Sequence, residues 1–493
     1  MAIDVKSDPG RMLNILATRL ADPERLRRLN LLDAWSRGKA EMVGVHPNAA
    51  KVVREFHELA DTGLADLIAE AVRERRRIRG IRTAADDDAT GDSEAWKLWL
   101  KMRGPLISAD VHRMEARFGT AYAMVSEPPD DEPGVPIITA EDPRSCIADL
   151  DPLRFWVARW GLKMLHDPTN AVSRAYLMRP GRVDVAYLET KSKTGARFSA
   201  SSWNWDETLS MDLKPGLMPL VPFEALDALG EFEKHMRLLR RIDFMILQQL
   251  SIAVLQAFKQ RGIKGVPAKD DKGQLIDYDD IFSADPGALW LLPAAAEIWE
   301  SGQVDLSGIL TAVRDYIRQL AAASRTPLSM MEASGENQSA EGAASAKEGL
   351  VFKVEDRNLR GGVSWARVID TAGRWIDRPY QDVQVDWAPP ARSSLIERAT
   401  AIAAAKNGDV PFRTRMIEFG EFDPAEVDRM EIEREDDLVF AARVASMKAA
   451  MAPKPAVTPE PAQSAAQPSA GGPNGAPATD GTPQPATGAQ SAA

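Results

Sequence analysis

The side chains best suited to chemistry in this 493-residue chain are thinly spread. Five histidines, His46, His57, His112, His166 and His235, stand far apart, and no H-E-x-x-H pair sets two of them on one helix face for zinc. His57 has Glu55 and Glu58 nearby, but a lone histidine on a surface helix reads as a solvated side chain rather than a general base. The best carboxylate cluster, Glu297, Glu300 and Asp305, precedes a helix start, where the helix dipole already favours acids. There is no G-x-S-x-G elbow and no G-x-x-x-x-G-K-[ST] phosphate loop; Gly38–Lys39 is followed by Ala40 and lacks the upstream glycine. The expectation is a protein that is not an enzyme, carries no cofactor or metal, and does not run its own NTPase.

Charge narrows the classes further. With 61 Lys+Arg against 72 Asp+Glu the formal charge is −11, which disfavours a protein that grips nucleic acid by neutralising phosphates in bulk. The one dense basic run, RERRRIRGIR, carries Arg73, Arg75, Arg76, Arg77, Arg79 and Arg82. It has no interleaved aromatics and is followed by Asp86–Asp88, so a solvated helix end or a subunit contact is the reading. Cys146 is the only cysteine, which excludes an internal disulfide framework and points to a reducing compartment. The start has no basic n-region followed by an apolar core, and no run approaches the roughly 18–20 apolar residues of a membrane span. A soluble, cytoplasmically made protein with no membrane partner is expected.

The elements that must position such residues are read from periodicity. Helices fit Pro9–Leu20, Pro23–Arg37, Pro47–Ala60 and Gly63–Arg79, with prolines favoured at the first helical position. From about Tyr122 the runs TAYAMVSE, VPIITA, SRAYLMRP and RVDVAYLET read as strands. Between Leu226 and Arg261, apolar residues from Leu229 to Ala257 recur at spacings of three and four without a proline, which predicts one helix of about 50 Å. A second helix fits Asp305–Ser324, with Asp305 as a plausible N-cap. The stretch between them is rich in Gly, Pro and Asp and reads as a compact β-rich insertion. A Gly/Ser/Asn-rich loop follows, then a helix that Gly361–Gly362 should kink or break, since each glycine costs about 1 kcal/mol against alanine in a helix interior. A strand-like VQVDW at 383–387 and helices over Ser393–Asn407 and Asp423–Met451 close the folded part. Residues 452–493, with nine prolines and only Lys454, Glu460 and Asp480 charged, read as a disordered tail.

Several ordered segments, QAFKQRGIKGVP, IDYDDIFSADPGALWLLP, EIWESGQVDL, TPLSMMEASGENQSAEGA and AKEGLVFKVEDRN, resemble tailed-bacteriophage portal proteins of the kind common among phages of actinobacteria. The resemblance runs from about residue 60 to about 450 and is most specific over 226–360. It implies an α+β, mainly helical fold. Residues 1–225 would form a wing, 226–261 the first stem helix, 262–304 a β-rich clip and 305–324 the second stem helix. A tunnel loop would span 325–340, a kinked tunnel helix 341–374, a strand returning to the wing 375–392, and a crown 393–451.

The same resemblance implies a homo-oligomeric ring, usually of twelve subunits, at one capsid vertex. Double-stranded DNA would pass through it during packaging and ejection. Terminase and head–tail adaptors would dock on the clip, and the major capsid protein and scaffold on the wing, so the protein would belong to the virion after assembly in the host cytoplasm. Small polar loop residues, Ser329, Ser334, Asn337, Gln338 and Ser339, would face the duplex. Lys234, Arg237, Arg240, Arg241, Lys259, Arg261 and Lys264 would face the lumen or pair across subunits, with Glu233 available to Arg237 at i,i+4. The rival readings are another ring-forming connector or head-assembly protein, and a DNA-processing enzyme, which would need clustered carboxylates for two-metal chemistry.

Overall fold

A computed structural model describes residues 2–39, 59–84, 93–190, 192, 197–257, 261–264, 269, 273, 297–300, 305–332, 340–391 and 393–451. The chain divides into two units, Met1–Glu431 and Ile432–Ala493. In the first, α1 (Asp8–Leu20) is capped by Ser7, whose Oγ accepts the Gly10 N–H, and α2 (Pro23–Ser36) by Asp22, whose carboxylate accepts from Glu24. Each has its proline in the first turn, as the sequence suggests. The helix expected over 47–60 lies almost wholly outside the described residues. The one expected over 63–79 is shorter: α3 (Leu64–Arg73) stops because Ile78–Arg82 forms β1, which pairs antiparallel with β12 (Gln384–Trp387).

Helices α4 (Ser93–Lys101) and α5 (Gly104–Phe118) lead into two antiparallel sheets. One has the order β3-β2-β9, from Ile137–Glu141, Thr120–Ser126 and Leu220–Glu224. The other runs β4-β5-β6-β7-β8, from Cys146–Leu150, Ala158–Asp167, Val172–Arg179, Arg182–Glu189 and Asn204–Asp212. The four runs read as strands are β2, β3, β6 and β7; the sequence reading passed over the rest. Leu13, Leu16 and Leu20 of α1 bury against Leu162, Leu177 and Ala186 of the five-stranded sheet.

The helix expected from Leu226 to Arg261 is broken at its start. Asp227 and Ala228 take positive φ (62° and 50°), Leu229 is extended, and only Met236–Ala257 forms the continuous helix α6, roughly 33 Å long. Packing is the reason: the segment crosses the end of α5 so closely that a Cβ on Gly230 would lie 2.2 Å from the Arg117 carbonyl oxygen, and the Glu231 N–H donates to the Ala116 carbonyl. Arg261 begins a strand instead of ending the helix: β10 (Arg261–Lys264) pairs antiparallel with β11 (Glu297–Glu300). Helix α7 (Ser307–Ser324) then returns alongside α6, with Val313 and Leu320 in one core with Leu239 and Ile242. A short helical turn, α8 (Leu328–Met331), occupies part of the stretch expected to be loop.

The long helix α9 (Ala340–Trp375) corrects the expectation of a kink: its 36 residues run unbroken through Gly361–Gly362. Those glycines serve close approach. A Cβ on Gly361 would meet Arg76 Nη2 at 2.4 Å, and one on Gly362 would touch Trp387 Nε1 at 3.5 Å. Arg76 is held there by a buried ion pair to Glu115 Oε2 (Nη1, 2.5 Å; side chains 1% and 2% exposed), a hydrogen bond to the Arg357 carbonyl (Nη2, 2.8 Å) and another to Asn358 Oδ1 (Nε, 3.3 Å). Around it, Trp99, Trp365 and Phe223 fill the main core between α4, α5, α9 and the three-stranded sheet.

Helix α10 (Leu395–Asn407) carries a complete capping box from Ser394 and Glu397. A short α11 (Phe412–Thr414) runs into a π-turn at Arg415–Phe419, and α12 (Pro424–Met451) follows. In the second unit α12 continues from Ile432, and every residue over 432–443 is exposed. Among the described residues no helix is long and apolar enough to cross a membrane.

Because Gly361 marks a close approach, Gly361→Ala should lower stability by about 1–3 kcal/mol, although alanine is the better helix former. Gly308→Ala, in α7 with open space around it, should be neutral or gain up to about 1 kcal/mol. Thermal melts of the two variants check this; a more stable Gly361→Ala protein would contradict it.

Candidate functional site

The polar side chains that the fold brings together are engaged mostly in ion pairs. Among the described residues no three His, Cys, Asp or Glu side chains are placed to hold a metal ion. They form instead ionic anchors at the junction where α6 begins, α7 ends and α9 passes. Glu231, 3% exposed, accepts from Lys353 Nζ and Arg357 Nε, each at 2.7 Å. Burial alone would raise its pKa, but the two cations of α9 overcome that and hold it below the usual carboxylate range. Two residues on, Glu233 is gripped by Arg28 of α2 in a fork, Nε to Oε1 and Nη2 to Oε2, both 2.6 Å. Arg28 Nη2 also donates to the carbonyls of Phe118 and Ala228.

That fork overturns the expected i,i+4 partnership of Glu233 with Arg237: the carboxylate faces α2. Arg237 and Arg240 are exposed on α6, and no ion pair engages them among the described residues. Arg241 lies over the Tyr316 ring of α7 at 5.2 Å, a cation–π contact that ties the two helices. Lys234 is exposed and bonds Asp227 at 3.3 Å. It also lines a cavity of about 460 Å³ with Glu231, His235, Arg325, Lys353 and Arg357. Lys264 is exposed at the end of β10, and Arg261 begins that strand. Of the loop residues, Ser329 is exposed on α8. Lys259, Ser334, Asn337, Gln338 and Ser339 lie outside the described residues.

The basic run is not a solvated helix end. Arg76 is buried, Arg73 pairs with Glu70 at 2.5 Å, Arg77 with Asp423 at 3.0 Å and Arg79 with Glu418 at 3.1 Å. Arg82 pairs with Asp386 across the β1–β12 pair. It stitches α3 and β1 to α5, α9 and the segment around residues 418–423. Two buried titratable groups were also missed. His112 of α5 is fully buried and its Nε2 accepts from Trp365 Nε1–H at 2.8 Å; burial, then the nearby Arg76 cation, drive its pKa well down. Asp243 of α6 accepts from Thr62 Oγ1 at 3.0 Å; burial, with Asp61 adding to it, raises its pKa to about 7. No local signal marks either residue, since both partners come from distant parts of the chain.

No protein-family model matches the chain. The portal protein of Mycobacterium phage D29 is 25% identical to it over 422 residues, covering 80% of this chain and 82% of that protein. The portal protein of Mycobacterium phage L5 is 24% identical over 413 residues, covering 78% and 79%. The chain is similar to phage portal proteins. The portal resemblance read from the ordered segments is thus borne out, over about 80% of the chain. Among solved structures, the neck of an empty gene transfer agent particle, computed with C6 symmetry, aligns with a TM-score of 0.42 at 13% identity, over 76% of this chain and 90% of that one. The neck of the native particle, computed with C12 symmetry, aligns with a TM-score of 0.42 at 12% identity, over 74% and 93%.

The two missed groups give the protein opposite pH dependences. His112 titrates near 6.5 when unfolded and well below that when folded, so only the unfolded chain takes the proton in between and stability falls as pH drops below about 6.5. Asp243 titrates near 3.9 unfolded and about 7 folded, so its contribution is fully present below about pH 4 and is lost as pH rises through 7. Asp243→Asn should therefore raise the melting temperature at pH 8 by several degrees and by clearly less at pH 5, the difference shrinking toward pH 4. His112→Gln, which keeps an acceptor for Trp365, should flatten the acid side. Melting curves from pH 4.5 to 8.5 test both, and parallel curves for wild type and variants would refute the assignments.

Proposed function

We propose that this chain is a portal subunit that forms a ring at one vertex of a phage capsid, the conduit for double-stranded DNA during packaging and ejection. The observation that carries this reading is the similarity, over about four-fifths of the chain, to two phage portal proteins. The packing of α6 against α7, with the β10–β11 pair at their far connection, supports it: two long helices joined through a small strand pair are what a stem and clip require. In this reading α6 and α7 are the stem, 262–304 the clip, the wing is built from residues 1–225 with β12 returning to β1, and 393–451 is the crown. Residues 325–340 would form the tunnel loop and α9 the tunnel helix, which is continuous through Gly361–Gly362.

A conduit's chemistry is passive, and the charge balance suits it. A duplex slides past a net negative wall more easily than past one that binds its phosphates, and packaging would be driven by a separate terminase ATPase docked at the clip. The buried ionic anchors of Glu231 and Glu233 fix the start of the first stem helix to α2 and α9, so that force on the stem is carried into the folded body. Capsid protein and scaffold would meet the wing, and head–tail adaptors would replace the terminase at the clip, placing the protein in the virion.

Electron microscopy of purified full-length protein should show a channelled ring of about twelve subunits; a monomer that cleaves DNA in the presence of divalent cations would refute the reading. Lys264 lies opposite Glu297 in the strand pair, so residues 265–296 can be replaced by a two-residue Asn-Gly turn. Rings of that variant should still assemble but fail to bind terminase. Packaging at normal efficiency would show the clip lies elsewhere.

A further inference from the structure

The basic run leaves one feature that folding does not absorb. A groove of about 610 Å³ opens between the end of α3, the start of α9 and the segment after β12. Arg73, Arg75, Arg77 and Lys347 line it, against Glu74 and Glu421. Arg73 is already paired to Glu70, and Arg77 to Asp423. Arg75 and Lys347 have no carboxylate within 4.0 Å among the described residues, although Lys347 is near enough to Glu397 to help lower its pKa; Arg75 donates to the Ala71 carbonyl (2.8 Å) and points its other nitrogen at Met330 Sδ (3.9 Å). The remaining walls are apolar, from Leu350, Val351, Pro389 and Pro390.

The chain also carries a segment of matching chemistry. In α12, Glu435, Asp436 and Asp437 are followed by Leu438, Val439 and Phe440, which are 61%, 59% and 68% exposed. Asp436 and Phe440, four residues apart, share a helix face. A helix with no packed face is marginal in water, and such an exposed apolar group marks a surface awaiting a partner.

We propose that the acidic–apolar stretch Glu435–Phe440 of one subunit docks in the Arg75/Lys347 groove of the next. The proposal rests on the ring reading: a closed ring is built from heterologous contacts, in which two different faces of the same chain meet. Arg75 and Lys347 take the carboxylates, and the Leu350, Val351 and proline walls cover Phe440. Glu74, Glu421 and the apolar walls favour a carboxylate-bearing helix over a nucleic-acid phosphate, which would meet like charge and gain nothing from prolines.

The test uses the full chain and native mass measurement of assembly from 54.0 kDa subunits. Asp436→Lys with Asp437→Lys, and separately Arg75→Glu with Lys347→Glu, should each raise the concentration needed for ring assembly at least tenfold. Combining the four should recover assembly, which a merely unfolded variant cannot do. A Lys347→Cys, Asp437→Cys pair should give a ladder of disulfide-linked multimers on oxidation; the native Cys146 is buried and stays out of the reaction. Unchanged assembly of both reversals, or disulfides formed only within single chains, overturns the proposal. So does a groove reversal that weakens retention of duplex DNA while rings form normally, which would make the groove a phosphate site. A wild-type protein that never assembles would instead refute the ring reading itself, and this contact with it.

Discussion

The structure turns on one buried charge. Arg76 emerges from the end of α3 into a space enclosed by α5, α9 and β12, where its guanidinium meets Glu115, Asn358, the Arg357 carbonyl and the face of Trp387. Removing a guanidinium and a carboxylate from water costs several kcal/mol per ion, recovered only when geometry and hydrogen bonds are nearly complete. The surroundings are shaped to supply that completeness. Gly361 leaves out the atom that would collide with Nη2, and Asn358 and Arg357 approach from the preceding turn of α9. His112, one turn before Glu115 on α5, stays neutral beside the cation and locks Trp365. Four elements separated widely in sequence are thereby held in a single register.

This explains which features the sequence reveals and which it hides. Capped, amphipathic α1 and α2 follow from Ser7, Pro9, Asp22 and Pro23, all within one turn of the helix they start. The portal resemblance lies in ordered local segments and is equally legible. Gly361–Gly362 misleads for a physical reason: glycine costs helix propensity wherever it sits, but here the lost side chain is what lets Arg76 and Trp387 approach. The break before α6 misleads in the opposite sense. Leu229 and Phe232 keep helical spacing with Met236, yet Gly230 must pass against the Arg117 carbonyl, and the chain follows the contact instead of the period.

The ionic contacts were the least legible part, because each joins residues far apart in the chain. Glu231 and Glu233 look like the acidic approach to a basic helix, and Glu233 has Arg237 at the right spacing for a helical pair. A helical pair on a solvated surface is worth only about 0.3–0.5 kcal/mol, however, whereas a two-bond fork to Arg28 in a half-buried site is stronger and satisfies the Gly230 N–H as well. The non-local partner wins on magnitude. The Arg-rich run follows the same logic: its side chains look like a surface patch only while the carboxylates of Glu115, Asp423, Glu418 and Asp386 remain out of sight.

The acidic balance takes on a definite meaning once these contacts are placed. The tail after residue 451 carries Lys454, Glu460 and Asp480, a net −1, so −11 − (−1) leaves −10 on the rest of the chain. Most arginines of the basic run are paired with carboxylates of their own subunit, which reduces the positive charge they would offer a phosphate. The proposed conduit would be suited by that arrangement: free cations that bind phosphate would hold the DNA, whereas cations paired with carboxylates of the same subunit tie its elements together. In the proposed conduit, the ion pairs that hold the fold together are also the ones that occupy the cations of the basic run.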